Sequence, residues 1–598
     1  MKSFLIGILP LFIFLPAAFS QKSVVRWTEK DGPAITNKEH LDYRIADGTL
    51  QARTTGNVTA RYSVAIPPGG QDVSGAVEID IPVSNTGITS CIVNAYLEDK
   101  GWIGASVVLQ PGESDSLQIL FIHAVDTARK VFPNMEGVPG GNLSIYDPID
   151  PSHLKKLRFE IRSSAPAAVS FGGIVANGDY RTGEQVAANS DFFPFIDGYG
   201  QYKHGEWPGK THTDTDLQKD LTEETTTFSL LSGPAEFDQY GGWKDGPILA
   251  ATGNFRVQKL NGKWWIVDPE GHLFWSHGID CVGMGSGSTK ITGLEKYFEK
   301  LPPEDGVFKA SYSSRREKTF NFYSANLIRK FGGNWKEKAI SHFHRRLKSW
   351  GVNTIGNWSD PEVFFSSDNR IPYTMNVGYR SPSLDGATFK FPDVFDPRFR
   401  TALDSAAVKA AVHTVPDPWC IGYFIDNELS LGDYTNAVMK QRPDAPAKTA
   451  LLTWLKKKYQ TIASLNKTYG SRFGSWEALS AEKKLPPASA KDRAAFNRVI
   501  VDAYYAGCRA AIKKVAPQKL YLGSRFNLYR IFYPADTSVS YAIRAAAKYC
   551  DVVSINYYRF GSKDLVLPSD GIDKPILIGE FHFGAMDRGL PHTGLRNT

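Results

Sequence analysis

The 598-residue chain is 42% hydrophobic and 22% charged, an ordinary globular balance with length enough for two or three domains. Its net charge of +7 contains no run of five basic residues, which excludes a nucleic-acid footprint and gives no sign of an anionic polysaccharide partner. Five scattered cysteines, an odd number, exclude a small disulfide scaffold, and no Cys/His cluster has zinc spacing; buried thiols, no metal and no cofactor are expected.

In chain order, residues 1–20 come first. Met1-Lys2, an apolar run from Phe4 to Pro16 and small residues up to Ser20 read as a signal peptide cut after Ser20. The run is short and holds Pro10 and Pro16, and no later segment approaches the ~20 apolar residues of a spanning helix. No Cys follows the cut, so no lipid anchor is expected. The mature chain is expected in the periplasm or outside the cell, without membrane attachment.

Residues 21–190 read as all-β. Ala76–Pro82, Cys91–Tyr96, Ser116–Ile122 and Leu157–Arg162 largely alternate apolar and polar residues between turn-rich clusters, the pattern of a jelly-roll-like β-sandwich. Such a domain suits a carbohydrate-binding module and equally an inert spacer. The 12% aromatic share leans toward sugar handling, because sugar rings stack on aromatic faces. Residues 191–254 are polar and irregular, with a helical stretch at Thr213–Thr226, and read as a linker packed along the next domain.

From 255 to 598 strand and helix patterns alternate, which predicts an α/β fold, a (β/α)8 TIM barrel. Lys263–Val267 and Leu273–Ser276 flank the turn Asp268-Pro-Glu-Gly271 and lead into a first barrel strand ending near His277-Gly-Ile-Asp280. Later strands are expected at Val352–Asn357, Pro372–Asn376, Cys420–Ile425, Lys519–Gly523, Asp551–Ile555 and Pro575–Gly579. Gly351 marks a helix end, and Asp396-Pro397 a capped helix start. Seven strands leave the barrel short of its last β/α unit.

Two strands end on carboxylates: Glu428 after Gly422-Tyr-Phe-Ile-Asp-Asn, and Glu580 after Pro575-Ile-Leu-Ile-Gly. In such barrels catalytic groups stand at the carboxyl ends of strands, and glycosidic bond cleavage uses two carboxyls facing each other across a pocket. One must carry a proton for the leaving oxygen; the other must be ionised to attack. Further candidates at strand ends for binding substrate are Asn427, His277, Asn357, Trp358, Arg525, Tyr557 and His582, with Tyr558 competing with Tyr557. Gly283-Met-Gly-Ser-Gly287 lacks the third glycine of a dinucleotide fingerprint and reads as a loop.

Tyr423-Phe-Ile-Asp-Asn-Glu-Leu-Ser430 with Ile578-Gly-Glu-Phe-His-Phe-Gly-Ala-Met-Asp-Arg-Gly589 resembles glycoside hydrolase family 50, a family of β-agarases in the retaining (β/α)8 clan. Gly200-Gln-Tyr-Lys-His204 and Trp207-Pro-Gly-Lys210 are similar to the same family. The resemblance implies cleavage of the β-1,4 galactosidic bonds of agarose to neoagaro-oligosaccharides by double displacement. It implies Glu428 as acid/base, Glu580 as nucleophile, and Asn427 on the hydroxyl beside the reacting carbon. A β-galactosidase of the same clan is the second reading, because Trp454–Tyr459, Leu465-Asn466 and Tyr469-Gly470 are also similar to family 42. A polysaccharide-binding protein without turnover is the third.

Overall fold

The computed structural model describes residues 22–29, 33–55, 59–66, 71–97, 104–120, 151–178, 180, 184–185, 188–189, 191–285, 287–366, 369–384, 390–527, 538–557 and 572–581. They divide into two compact units, one up to Phe195 and one from Ile196 to Phe581. The expected signal peptide lies outside the described residues.

The first unit is two antiparallel sheets around one hydrophobic core. One sheet orders Lys22–Val25, Ile174–Asn177, Glu78–Asn85, Ala168–Phe171, Thr49–Thr54 and Leu41–Ala46, with Ser114–Leu120 also paired to Glu78–Asn85. The other orders Ile35–Glu39, Ala60–Ala65, Lys156–Ser163, Cys91–Leu97 and Gly104–Leu109. Alternation explains the burial: Ile79, Ile81 and Val83 are buried, while Glu78, Asp80 and Pro82 between them are not. Phe159 from one sheet meets Phe171 from the other edge-to-face at 5.2 Å.

The second unit opens with an irregular stretch holding one helix, Asp214–Leu230, started by a capping box between Thr213 and Asp216. An antiparallel sheet follows, Arg256–Leu260, Lys263–Val267 and Leu273–Phe274. Then come parallel strands: β1 (Gly278–Ile279), β2 (Thr354–Ile355), β3 (Tyr373–Val377), β4 (Cys420–Ile425) and β5 (Leu520–Gly523), hydrogen-bonded in that order. A two-residue strand, Phe526–Asn527, continues beyond β5 and pairs with β6 (Val553–Asn556), which pairs with β7 (Ile576–Glu580).

Helices occupy the crossovers. Asp396 caps Pro397–Thr414 through its Oδ1, which accepts the Arg398 N–H at 2.9 Å. Trp335–Ser349 ends at Gly351, whose φ of +73° suits glycine. One face of the strands (Tyr423, Ile425, Tyr521, Val553, Ile555) packs on the helices Pro397–Thr414, Ala490–Val515 and Ser538–Tyr549. Phe424, Leu520 and Leu522, whose positions alternate with these, share a core with Ile421, Val552, Tyr240, Phe255, Ile266 and Phe274. The antiparallel sheet therefore closes off the inside of the array. The five cysteines form no disulfide; four are buried and Cys281 is exposed. Among the described residues no helix is long and apolar enough to cross a membrane.

Candidate active site

β4 is buried along its whole length, and its chain turns sharply as it emerges. Asp426 and Glu428 both adopt positive φ, +62° and +51°, an uncommon backbone state for residues with a side chain. Local bonds hold them there. Asp426 Oδ2 accepts the hydroxyls of Tyr379 at 2.7 Å and Tyr504 at 2.6 Å. Burial pushes the Asp426 carboxyl above its usual range, against the two phenols. The Glu428 N–H is shared between the carbonyls of Ser524 at 3.2 Å and Arg525 at 3.3 Å, so β5 sets its height. From β6, the Asn556 side-chain amide donates to Glu428 Oε1 at 2.7 Å and reaches Asn427 Oδ1 at 3.4 Å.

Glu580 is the last residue of β7 and stands in register with Asn556. Its carbonyl accepts the Tyr557 N–H at 2.9 Å. Its carboxylate Oε1 accepts the indole N–H of Trp358 at 3.2 Å and lies 3.8 Å from Nη1 of Arg525. The Arg525 side chain is wholly buried, its guanidinium 4.9 Å from the Trp358 ring and 4.7 Å from that of Phe424. The Arg525 N–H donates to Ser554 Oγ at 3.0 Å.

The bond from Trp358 to Glu580 also reports on the shape of the sheet. Trp358 follows β2 and Glu580 ends β7. Five strand spacings of a flat sheet would part them by about 24 Å. Two side chains cannot bridge that distance, so the array curls until its carboxyl ends face one another.

β1 contributes Asp280 to the same cluster. Burial pushes its carboxyl up to about 6; Arg525 pulls the value down, Glu580 pushes it up, and the Asn357 N–H pulls it down. Asp280 fits only because residue 356 is glycine: a Cβ there would lie 1.9 Å from Asp280 Oδ1. Cys281, Trp358 and Arg525 also have positive φ, at +60°, +64° and +50°. With Asp426 and Glu428 they make five strained positions, all just past the ends of β1, β2, β4 and β5.

Of the residues singled out in the sequence, Glu428, Glu580, Asn427, Trp358, Arg525 and Tyr557 gather here. Asn357 does so only in part. It is buried, its Oδ1 accepts the Thr374 hydroxyl at 3.1 Å, and its carbonyl accepts the Cys281 N–H. The structure corrects the expectation for His277. That residue precedes β1, and its bonds run to Asn353 and Gly351 ahead of β2, at the opposite end of the strands. Its place in the cluster is taken by Asp280, three residues later. His582 and Tyr558 lie outside the described residues. Asn556 was not anticipated; an asparagine closing an apolar strand gives no pattern of its own.

No protein-family model matches the sequence. The chain is 33% identical over 459 residues to Beta-agarase B of Vibrio sp. (strain JT0107), covering 67% of this chain and 46% of that protein. The chain is a relative of the Vibrio β-agarases. It is also 28% identical over 507 residues to Beta-agarase A of the same organism, covering 75% and 49%. It thus spans about half the length of the two Vibrio agarases. In fold it is similar to the agarase AgWH50C (TM-score 0.73, 24% identity, 95% of this chain and 87% of that one). It is similar also to PfGH50B (0.74, 23%, 96% and 88%) and to an exo-beta-agarase (0.71, 24%, 95% and 88%). These structures match 95–96% of this chain, the sandwich as well as the parallel array.

Proposed function

We propose that this chain is a secreted, retaining family 50 β-agarase that cleaves the β-1,4 galactosidic bonds of agarose. The observation that carries the proposal is the pairing of Glu428 and Glu580 through Asn556, Trp358 and Arg525 at one end of a curled parallel sheet. In this reading the strands belong to a (β/α)8 barrel, and the sandwich unit is a jelly-roll-like carbohydrate-binding module. The substrate is a polysaccharide; no cofactor enters the chemistry.

In the first step a carboxylate oxygen of Glu580 attacks the anomeric carbon while Glu428 gives its proton to the departing glycosidic oxygen. The bond to the leaving sugar breaks, and an ester between galactose and Glu580 forms. In the second step Glu428, now ionised, takes a proton from water; the water oxygen attacks the same carbon and frees Glu580. Arg525 and Trp358 hold Oε1 of the nucleophile, which fixes its orientation. Asn556 fixes the acid/base, and Asn427 binds the hydroxyl beside the reacting carbon. Trp358, half exposed, offers its indole to a sugar ring.

Agarose digestion tests the activity, with neoagaro-oligosaccharides expected; binding without new reducing ends would overturn it. An activated aryl galactoside with azide tests the roles. Glu580→Ala should give the inverted glycosyl azide and Glu428→Ala the retained one. Exchanged products would reverse the assignment.

A further inference from the structure

A second charged cluster lies away from these strand ends, between the loop Phe237–Trp243 and the turn that joins Lys263–Val267 to Leu273–Phe274. Asp238, Glu270 and His272 bring one ligand-type atom each to within 4.8 Å of one another. Asp268 stands beside them and is completely buried. Each aspartate spends Oδ1 on its own turn. Asp238 Oδ1 accepts the N–H groups of Tyr240 and Gly242, both at 2.8 Å. Asp268 Oδ1 accepts those of Glu270, Gly271 and His272 at 2.8–2.9 Å. The second oxygens are turned inward instead. Oδ2 of Asp238, Oδ2 of Asp268 and Nδ1 of His272 are all buried, and none has a hydrogen-bond partner. His272 Nδ1 lies 2.7 Å from Asp238 Oδ2, off the geometry of a hydrogen bond, and 3.7 Å from Asp268 Oδ2. The Glu270 carboxylate is held by the Gln239 amide. Gly242 lines the space: a Cβ there would sit 2.3 Å from Asp268 Oδ2 and 3.1 Å from Asp238 Oδ2. Among the described residues no Lys or Arg forms an ion pair with Asp238, Asp268 or Glu270.

Two buried carboxylate oxygens with one imidazole nitrogen beside them, and no Lys or Arg paired to them among the described residues, are costly, and a cation or a proton held between them relieves that cost. We infer that Asp238, Asp268 and His272, with Glu270 at the open side, form a binding site for one divalent first-row metal ion. An imidazole nitrogen beside carboxylates favours Zn²⁺ or Mn²⁺ over the all-oxygen preference of Ca²⁺ or Mg²⁺. Metal–ligand bonds of about 2.0–2.2 Å put tetrahedral ligand atoms roughly 3.4 Å apart. The His272–Asp268 distance is close to this, and the His272–Asp238 contact would open slightly. The three backbone N–H groups on Asp268 Oδ1 orient its second oxygen, as bonds behind a metal ligand do. Such an ion would clamp the 237–243 loop to the antiparallel sheet. The loop lies at the amino end of the strands, where the amide of Asn353, just ahead of β2, donates to the Gly241 carbonyl, so the ion's test is independent of the agarase reading.

The competing occupant is a proton shared by the two aspartates. The experiment uses the full chain, stripped with a chelator and titrated with ZnCl₂ or MnCl₂ alone. Calorimetry should give one ion per chain, and Mn²⁺ resonance should report a nitrogen ligand. The ion should also raise the melting temperature. Asp268→Asn keeps the Oδ1 turn and His272→Gln keeps bulk; each should weaken binding by at least ~10–100-fold and abolish the melting shift. No uptake by the stripped wild type, or uptake equal in wild type and both variants, overturns the site.

Discussion

The two ends of the parallel strands are built to opposite specifications. At the amino end, polar groups are satisfied by backbone: the buried Lys519 amine donates to the carbonyls of Asp417 at 2.5 Å and Cys420 at 3.3 Å, and burial lowers its pKa. Aromatic rings fill the space nearby, with Phe255 and Phe274 edge-to-face at 5.1 Å. At the carboxyl end, side chains from five strands (β2, β4, β5, β6 and β7) bond to one another, and five residues hold strained backbone angles. A carboxylate held by other side chains keeps its orientation and its ability to react; an amine wrapped in carbonyls only keeps the fold. One end supplies stability, and the other spends it on position.

The sharpest way to break that contrast is at the two glutamates. Glu428→Ala should lower turnover ~10²–10⁴-fold, the worth of a general acid/base, with the melting temperature nearly unmoved. Glu580→Ala should lose at least as much. Unchanged activity in either variant removes the functional half of the comparison. At the other end, Phe274→Ala should destabilise by ~3–5 kcal/mol in denaturant melts, while activity per folded molecule stays as it was.

Asp280 tests whether the carboxyl end carries a standing cost. Its folded pKa is about 6 against an ordinary 3.8, so the folded state holds the proton to higher pH than the unfolded one. Above pH 6 the buried charge is paid in full; as pH falls from about 6 to about 4 the penalty fades. Asp280→Asn should therefore stabilise the protein above pH 6, by ~3 kcal/mol at most, with the gain vanishing toward pH 4. A gain that is flat with pH would place the effect in packing. The smallest effect is expected of Trp358→Phe, which keeps the ring and removes the N–H on Glu580. A loss of ~1–2 kcal/mol in kcat/KM is expected, with KM changing less than kcat.

The glutamates were legible because each closes a run of apolar residues long enough to be a strand, and the strand's direction fixes which end they occupy. The helix at Pro397–Thr414 was legible through Asp396-Pro397, and the end of Trp335–Ser349 through Gly351. His277 and Asp280 could not be told apart in this way. They flank a strand of only two residues, and the apolar pattern is too short to say which end faces the mouth. The short strand Phe526–Asn527 escaped for the same reason. Asp238, Asp268 and His272 come from segments thirty residues apart and converge through turns, whose geometry leaves no periodic trace.

Glu428 owes its place to chain segments that come much later. Its amide rests on the carbonyls of Ser524 and Arg525, and its carboxyl on Asn556. Transplanting the Asp-Asn-Glu loop alone into another scaffold would deliver the acid without its supports. An engineered donor must carry the ends of β5 and β6 with it, and a library that randomises residues 524–525 will retune Glu428 without ever mutating it.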